Sequence, residues 1–317
     1  MAFGQRLINT GAGGIPPFEL GVDGQYMATS DNLGNVYVSN DFGSNFYLTG
    51  SIPDPAGGLI SISEQGNHIQ VLSNEGNSSK LYHSSDFGFT FTFCIGGLVP
   101  CMAASWDGTL VGVKPTSEYG INMKVYGGYG EGSLVDESGG IDGIRFTGGA
   151  ADWSQTNYLY GGYSTGGQDY IARRDSSATY TIQGQVGAST IISIATGEGS
   201  VVYASTNTNL LKKSTNNGVS FSSLTNPVNN GSIACNYAAN ILVKSNGSIW
   251  VSTNSGSSFT NKSLTNAGDI AISSSGQYIC ANNNNDSVYI STDSGSTFST
   301  TSVAPNIGQV AVARKYL

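Results

Sequence analysis

Acidic and amide side chains return at one fixed place in a short recurring pattern of this 317-residue chain. They stand third in an eight-residue pattern, at Asp41, Asp86, Asp175, Asn216, Asn254 and Asp293. Carboxylates spaced in this way could bind a metal ion or a sugar at every copy. They could instead accept hydrogen bonds from the backbone amides of their own turns, as Asp and Asn do in Asx-turns. The exchange of Asp for Asn in two copies favours the structural interpretation.

Glycine and aromatic residues complete the pattern, and the clearest copy runs from Ser291 to Phe298. A glycine two positions after the Asp supplies a positive φ that other residues adopt only at a cost. The closing aromatic is expected to pack between neighbouring sheets and to bury a large apolar surface. In the altered copy at Asp175, serine replaces the glycine. The predicted structural set is Asp41, Gly43, Phe46, Asp86, Gly88, Phe91, Asp175, Tyr180, Asn216, Gly218, Phe221, Asn254, Gly256, Phe259, Asp293, Gly295 and Phe298.

Other residues that could perform chemistry are few. The chain has two histidines, His68 and His83, and four cysteines without a Cys-x-x-Cys pair, which disfavours a zinc site. Cys94 and Cys101 lie on either side of a predicted junction between repeats, so a disulfide between them stays open as an alternative. We predict no catalytic residue, no metal site and no cofactor.

The elements that must position these residues are short strands. The pattern returns about every 42 residues, a spacing typical of repeat architectures. The interval between Asp86 and Asp175 is double and holds a degenerate copy near Gly130, so the count is seven units. Each unit contains short β-branched and aromatic runs between Gly, Asn, Asp and Ser clusters. We predict an all-β fold, a seven-bladed β-propeller of four-stranded antiparallel blades.

The predicted propeller is a single domain, 1–317, since a propeller closes as one unit. The predicted blades span residues 17–56, 57–97, 98–140, 141–186, 187–226, 227–265 and 266–304. The termini, 1–16 and 305–317, remain for ring closure or subunit contact. Both ends offer a strand-like run, Arg6 to Thr10 and Gln309 to Ala313. One run should close the ring, and the other could pair with a neighbouring subunit.

Carboxylates also fall in loops that a propeller would place opposite the turns of the pattern. They are Asp54, Glu75, Glu118, Asp136, Glu137 and Asp142. A weakly acidic ligand face is one interpretation, in which Tyr119 stacks against a sugar, and solvated loop charge is the other. The possible ligand face comprises Glu118, Tyr119, Asp136, Glu137 and Asp142.

The pattern Ser-x-Asp-x-Gly-x-Thr-Phe, as in Ser291 to Phe298, resembles the Asp-box or BNR repeat. In that family the box lies in the hairpin between the third and fourth strands of a propeller blade. It occurs in sialidases, sortilin-type receptors and many viral structural proteins. The resemblance covers nearly the whole chain, and it implies the fold, with Asp-box turns, rather than the activity.

Sialidase activity is the sharpest enzyme hypothesis that this resemblance suggests. Sialidases bind a carboxylate with three arginines, use a Tyr–Glu nucleophile pair and an Asp acid/base, and carry an Arg-Ile-Pro motif. This chain has no Arg-Ile-Pro motif, and its five arginines are Arg6, Arg145, Arg173, Arg174 and Arg314. We therefore predict that the protein is not an enzyme. A glycan-binding or glycoside-hydrolase-like propeller is the alternative.

Charge restricts the expected partners. The formal net charge is −8, with only 13 Lys plus Arg, so neither nucleic acid nor an anionic membrane is an expected partner. No run of 18 apolar residues predicts a membrane span, and the first residues lack a signal-peptide pattern. The sequence favours a structural or binding component of a virion, a spike, fibre or decoration protein. Its expected partners are other structural proteins of the assembly and a host-surface glycan, and a cytoplasmic location or an assembly factor is the alternative.

Overall fold

A computed structural model describes most of the chain as short β-strands. The described residues are 21–55, 58–104, 109, 111–115, 124–126, 134–137, 149–151, 159–165, 168–174, 180–187, 191–198, 200–208, 210–225, 231–283 and 286–315. Within these ranges the one helical element is a single 3₁₀ turn, Gly76–Ser78. No helix among the described residues is long and apolar enough to cross a membrane.

Sheet 1 joins the two ends of the described chain. Its strands, from the inner to the outer edge, are β27 (Ile307–Val312), β1 (Met27–Asp31), β2 (Asn35–Ser39) and β3 (Tyr47–Ser51). All pairings are antiparallel, and Met27 lies opposite Val312. The C-terminal strand therefore completes the first sheet and leaves no free inner edge on β1.

Sheet 2 has seven strands in chain order. They are β4 (Ile60–Ile62), β5 (Ile69–Leu72), β6 (Ser79–Ser84), β7 (Thr92–Ala104), β8 (Val111–Pro115), β9 (Lys124–Tyr126) and β10 (Leu134–Glu137). The long strand β7 pairs with β6 through its first half and with β8 through its second half.

Four further sheets have four antiparallel strands each. Sheet 3 consists of β11 (Gly149–Ala151), β12 (Leu159–Thr165), β13 (Gln168–Arg174) and β14 (Tyr180–Gly187). Sheet 4 consists of β15 (Ile191–Gly197), β16 (Val201–Thr206), β17 (Leu211–Ser214) and β18 (Ser222–Leu224). Sheet 5 consists of β19 (Ser232–Cys235), β20 (Leu242–Ser245), β21 (Ile249–Ser252) and β22 (Thr260–Asn261). Sheet 6 consists of β23 (Ala267–Ile272), β24 (Ile279–Asn283), β25 (Ser287–Ser291) and β26 (Ser299–Ser302).

The prediction of an all-β propeller with four-stranded antiparallel blades is confirmed, but the prediction of seven separate blades is wrong for the described residues. They form five four-stranded blades and one seven-stranded sheet. The physical reason is the continuity of β7, which runs from Thr92 to Ala104 through the predicted junction after residue 97. Gly97 adopts a φ of 72° there, and the pairing register shifts on either side of it. The strand bends at this glycine instead of ending.

Apolar side chains from adjacent sheets form the core. Met27 and Val312 of sheet 1 pack against Cys280 and Ile290 of sheet 6, and all four are buried. Similar clusters lie between sheets 1 and 2 and between sheets 5 and 6. The β-branched runs that predicted strands thus supply the layers between sheets, as expected for side chains that alternate across a strand.

The inner strands meet around a ring. β27 contacts β4, β7 contacts β11, and the series continues through β15, β19 and β23 back to β27. Asp23 strengthens the closure, because its Oδ1 accepts the backbone amides of Ser274 at 2.8 Å and Lys315 at 3.2 Å. Its Oδ2 accepts the amide of Ser275 at 2.9 Å. One carboxylate therefore ties the start of sheet 1, the turn of sheet 6 and the end of the described chain together.

The alternative of a disulfide between Cys94 and Cys101 involves a side chain outside the described residues, that of Cys101. Both residues lie on β7, one on each side of the bend at Gly97.

Candidate functional site

The carboxylates of the recurring eight-residue pattern, each copy of which is called a box, are engaged within their own turns. Ser39 Oγ donates to Asp41 Oδ1 at 2.8 Å and accepts the amide of Gly43 at 2.9 Å. The amide of Asn45 donates to Asp41 Oδ1 at 2.9 Å, and Asn45 Nδ2 donates to Oδ2 at 2.7 Å. Both carboxylate oxygens therefore already accept hydrogen bonds from the turn.

The same geometry recurs at the boxes of Asp86 and Asp293. The amide of Thr90 donates to Asp86 Oδ1 at 2.8 Å, and its hydroxyl donates to Oδ2 at 2.7 Å. Thr297 repeats both bonds to Asp293, at 2.8 and 2.6 Å. Desolvation alone would raise the pKa of Asp293, but the bonds from Thr297 and Ser291 outweigh it and lower that pKa.

Asparagine preserves the box by reversing one hydrogen bond. The amide of Ser220 donates to Asn216 Oδ1 at 3.0 Å, and Asn216 Nδ2 donates to Ser220 Oγ at 2.9 Å. Asn254 makes the equivalent bonds with Ser258 at 2.9 and 2.8 Å. A hydroxyl can donate or accept, so serine serves as the partner of an amide where threonine serves as the partner of a carboxylate.

Two consecutive residues of each box that the structure describes adopt positive φ angles. The glycine does so, with 82° at Gly43 and 76° at Gly295. The residue before it does so too, with 60° at Phe42 and 59° at Ser294, which sequence reasoning missed. Glycine is also needed for packing, since a Cβ at Gly43 would lie 2.6 Å from Ile290 Cδ1 of sheet 6.

Aromatic residues of the boxes connect adjacent sheets. The ring of Phe42 stacks on Tyr278 of sheet 6 with a centroid distance of 4.6 Å, and Phe87 lies 5.3 Å from Tyr26 of sheet 1. The closing phenylalanines pack against the clusters between sheets, at Phe46, Phe91, Phe221, Phe259 and Phe298. The described boxes therefore serve as connectors between sheets.

Most of the predicted ligand face falls outside the described residues. Glu118, Tyr119 and Asp142 lie there, as does Asp175 of the altered box. Asp136 and Glu137 lie on β10, opposite Val125 and Lys124. Tyr180 begins β14.

A charged cluster lies between sheets 1 and 2. Lys80 Nζ donates to Asp54 Oδ1 at 2.6 Å and lies 3.4 Å from Glu75 Oε2. The hydroxyl of Tyr82, a buried residue, donates to Asp54 Oδ2. The sequence indicated Asp54 and Glu75 as loop carboxylates but gave no weight to Lys80 or Tyr82. Lys80 and Tyr82 lie two residues apart on β6, so both side chains lie on one face of the strand. That spacing is the sequence signal that could have indicated the cluster.

The pKa values reflect this pairing. The hydrogen bond to Asp54 raises the pKa of Lys80, and the bonds from Lys80 and Tyr82 lower the pKa of Asp54. Burial, followed by the bond to Asp54, raises the pKa of Tyr82. Lys80 is therefore held as a cation and Asp54 as an anion at neutral pH.

An exposed aromatic ring borders the cluster. Phe93 on β7 lies opposite Tyr82 in register, and the two rings meet edge to face at 5.8 Å and 67°. Phe93 is 55% exposed. Gly96 lies beside it, and a Cβ there would be 3.4 Å from Lys80 Cγ and 3.7 Å from Phe93 Cζ. The missing side chain leaves a shallow depression between the ring and the lysine stem.

A carboxyl group also lies at the ring closure. Asp269 of β23 accepts the amide of Val310 of β27 at 3.3 Å. Burial raises the pKa of Asp269 to about 6, although bonds from Val310, Ile270 and Ser232 oppose the shift. Sheet 6 and the closing strand thus meet at a group that titrates near neutral pH.

The two histidines lie together in sheet 2. His68 Nδ1 and His83 Nε2 are 3.0 Å apart, and the rings are nearly parallel at 12°. In the part of the chain that the structure describes, no three His, Cys, Asp or Glu residues form a group that could hold a metal ion.

Comparisons with known proteins identify the fold but no family. Neither a protein-family model nor a curated protein matches the chain. Solved β-propellers do match. AztD from Citrobacter koseri, in its apo form, has a TM-score of 0.62 at 11% identity, with 92% of this chain and 98% of that chain covered.

Two other propeller structures are similar over nearly the whole chain. TolB from Acinetobacter baumannii has a TM-score of 0.57 at 14% identity, with 92% of this chain and 67% of that chain covered. A structure of a nidogen/laminin complex has a TM-score of 0.51 at 11% identity, with 91% and 98% covered. At such identities the likeness shows the β-propeller fold alone.

Proposed function

We propose that this protein is a non-enzymatic structural or binding propeller of a larger assembly. The setting that we favour is a virus or phage particle, with the protein as a spike, fibre or decoration component. The observation that carries the proposal is the closure of sheet 1 by β27. The C-terminal strand β27 thus occupies the innermost place in sheet 1, which a strand from either terminus could have filled. The strand-like run Arg6 to Thr10, outside the described residues, is then available for a neighbouring subunit.

The described Asp boxes support the same proposal. Their carboxylates and amides are satisfied within the turns, and their aromatic residues connect sheets. This arrangement stabilises a rigid ring that can present its rim and loops to partners. We also propose that the chain contains seven Asp-box units, with sheet 2 comprising two blades that share the bent strand β7.

Removal of residues 1–12 tests the assembly role. We expect the truncated protein to fold, because β27 still closes sheet 1, and to lose incorporation into particles. Thermal unfolding checks the fold, and co-purification with particles checks incorporation. A truncated protein that folds and enters particles normally would refute the proposed role of the N-terminal run.

Enzyme assays test the non-catalytic part. We expect no turnover of fluorogenic sialosides or common glycosides. Turnover that a single carboxylate substitution abolishes would show that the protein is a hydrolase.

A glycan-binding role is the second candidate, and one observation favours it. The exposed ring of Phe93 lies beside fixed charged groups at Lys80, Asp54 and Glu75. An aromatic surface flanked by polar groups is a common arrangement for recognising small polar ligands.

A further inference from the structure

We infer that strand β6 and the first half of β7 in sheet 2 carry a binding site for a neutral sugar, formed by Phe93, Gly96, Lys80 and Glu75. The inference deepens the binding part of the proposed function and rests on that proposal only for its biological setting.

Comparison of equivalent positions singles out Phe93. It stands two residues after the closing phenylalanine of its box, where other boxes have Leu48, Ser223, Asn261 and Thr300. Leu48 and Phe93 are exposed to almost the same extent, 54% and 55%. Among these positions, only Phe93 offers an aromatic ring.

The ring is held in a defined orientation. Its edge-to-face contact with buried Tyr82 restricts its rotation, and Tyr82 is itself anchored by its hydrogen bond to Asp54. One face of a pyranose ring carries C–H groups with partial positive charge, which pack favourably on the negative face of an aromatic ring. An oriented aromatic ring loses little freedom when a sugar stacks on it.

Polar groups for the hydroxyls of a sugar lie across the Gly96 depression. Lys80 Nζ is fixed by Asp54 at 2.6 Å and by Glu75 at 3.4 Å. Its side chain remains 36% exposed, and that of Glu75 remains 28% exposed. Lys80 can donate to a hydroxyl and Glu75 can accept from one. Because residue 96 has no side chain, the face of the phenyl ring next to the Lys80 stem stays uncovered.

Charge decides the class of sugar. The single cation at Lys80 is shared by two carboxylates, and the whole chain has a net charge of −8. The carboxylate of an acidic sugar would find no unpaired cation to bind here, and the surrounding negative charge would repel it. The site therefore suits neutral hexoses and N-acetylhexosamines and disfavours sialylated or uronic acid ends.

Four variants of the full-length protein test the site. Phe93→Ser removes the ring, and Phe93→Tyr retains it. Gly96→Val fills the depression without removing either neighbour, and its backbone does not adopt a left-handed conformation. Leu48→Ser is the matched control, because it removes an equally exposed apolar side chain at the equivalent position of sheet 1.

Binding is measured on arrays of neutral and sialylated glycans and by saturation-transfer NMR with the neutral sugars that bind. We expect binding to neutral glycans, a loss of at least tenfold for Phe93→Ser and Gly96→Val, and near wild-type affinity for Phe93→Tyr and Leu48→Ser. Thermal unfolding confirms that each variant is folded.

Several results would overturn the inference. They are no binding of any glycan by the wild type, full binding by Phe93→Ser, or a preference for sialylated ends. Loss of particle incorporation by Phe93→Ser, without glycan binding by the wild type, would show that the surface around Phe93 contacts protein. Because the glycan assays use purified protein, their failure is distinct from a failure of the particle test with residues 1–12 removed.

Discussion

Replacement of Lys244 by methionine should stabilise the protein at neutral pH. Lys244 lies on β20, is fully buried, and donates from Nζ to Ser205 Oγ at 2.8 Å. Burial lowers its pKa from 10.5 to about 8, because desolvation disfavours the charged form. The unfolded chain hydrates the same ammonium group. Folding at pH 7 therefore carries an electrostatic cost that a methionine of similar volume would not carry.

The size of the effect follows from the shift of the pKa. One pKa unit corresponds to about 1.4 kcal/mol, so a decrease from 10.5 to about 8 represents roughly 3 kcal/mol. The variant leaves the buried hydroxyl of Ser205 without this donor, which costs about 1 kcal/mol. We expect a net gain of about 2 kcal/mol in the free energy of unfolding at pH 7. For a domain of this size the Tm should rise by roughly 3 °C.

The gain should depend on pH with a definite sign. Below about pH 8 the lysine is charged in both states, and the cost to the folded state is fully present. Between about pH 8 and 10.5 the folded state has lost the proton while the unfolded state keeps it, so the cost decreases as pH rises. The electrostatic cost falls to about 1 kcal/mol near pH 10, where it equals the cost at Ser205. The advantage of the methionine variant should therefore shrink across this window, vanish near pH 10 and reverse above it.

Urea unfolding at pH 7, 9 and 10 measures the difference, with equal m-values required for a valid comparison. Lys212→Met is the matched control, because Lys212 Nζ also donates to a serine hydroxyl, Ser223 Oγ at 2.9 Å, but lies on the partly exposed strand β17. The control should change stability little. Destabilisation by Lys244→Met at pH 7, or a gain that stays constant to pH 10, would refute the reasoning.

Three further substitutions have defined outcomes. Asp269→Asn should raise stability at pH 7 by about 1–3 kcal/mol and change it little near pH 4, because a pKa raised from 3.8 to about 6 gives a cost that grows between about pH 4 and 6 and is complete above pH 6; thermal scans at pH 4 and 7 check this, and equal effects at both would contradict it. Asp293→Ala should cost about 1–3 kcal/mol through the lost acceptor for Thr297, with glycan binding unchanged. Asp23→Ala should cost about 2–3 kcal/mol and accelerate amide exchange at Ser274 and Ser275, whereas unchanged protection there would exclude the closure role.

Local chemistry explains why so much of the fold could be predicted. The box turn depends on residues within eight positions of one another, as the bonds of Asp293 to Thr297 show. Short β-branched runs between polar turns indicate strands by themselves, and their repetition indicates a propeller. The positive φ of Phe42 and Ser294 escaped prediction, because neither residue type requires that conformation. The turn imposes it through its neighbours.

The candidate sugar site around Phe93 could be predicted only in part. Asp54 and Glu75 were visible as loop carboxylates, but their common partner Lys80 lies 26 residues after Asp54 in the chain. The two side chains come into contact only when sheets 1 and 2 pack together. Phe93 likewise looked like an ordinary strand residue, and only the packed sheets reveal an exposed ring over Tyr82.

The sequence by itself determined the strand pattern, the box turns and the propeller class, because these depend on contacts between residues close in the chain. Tertiary structure decided which terminus closes the ring, since the pairing of Met27 with Val312 depends on complementary edges that are distant in sequence. It also decided that β7 bends at Gly97 and continues, because β6 pairs with the first half of the strand and β8, later in the chain, with its second half. Only the tertiary structure shows that Lys244 and Asp269 are buried. Desolvation depends on the sheets that surround a side chain and not on its neighbours in the chain.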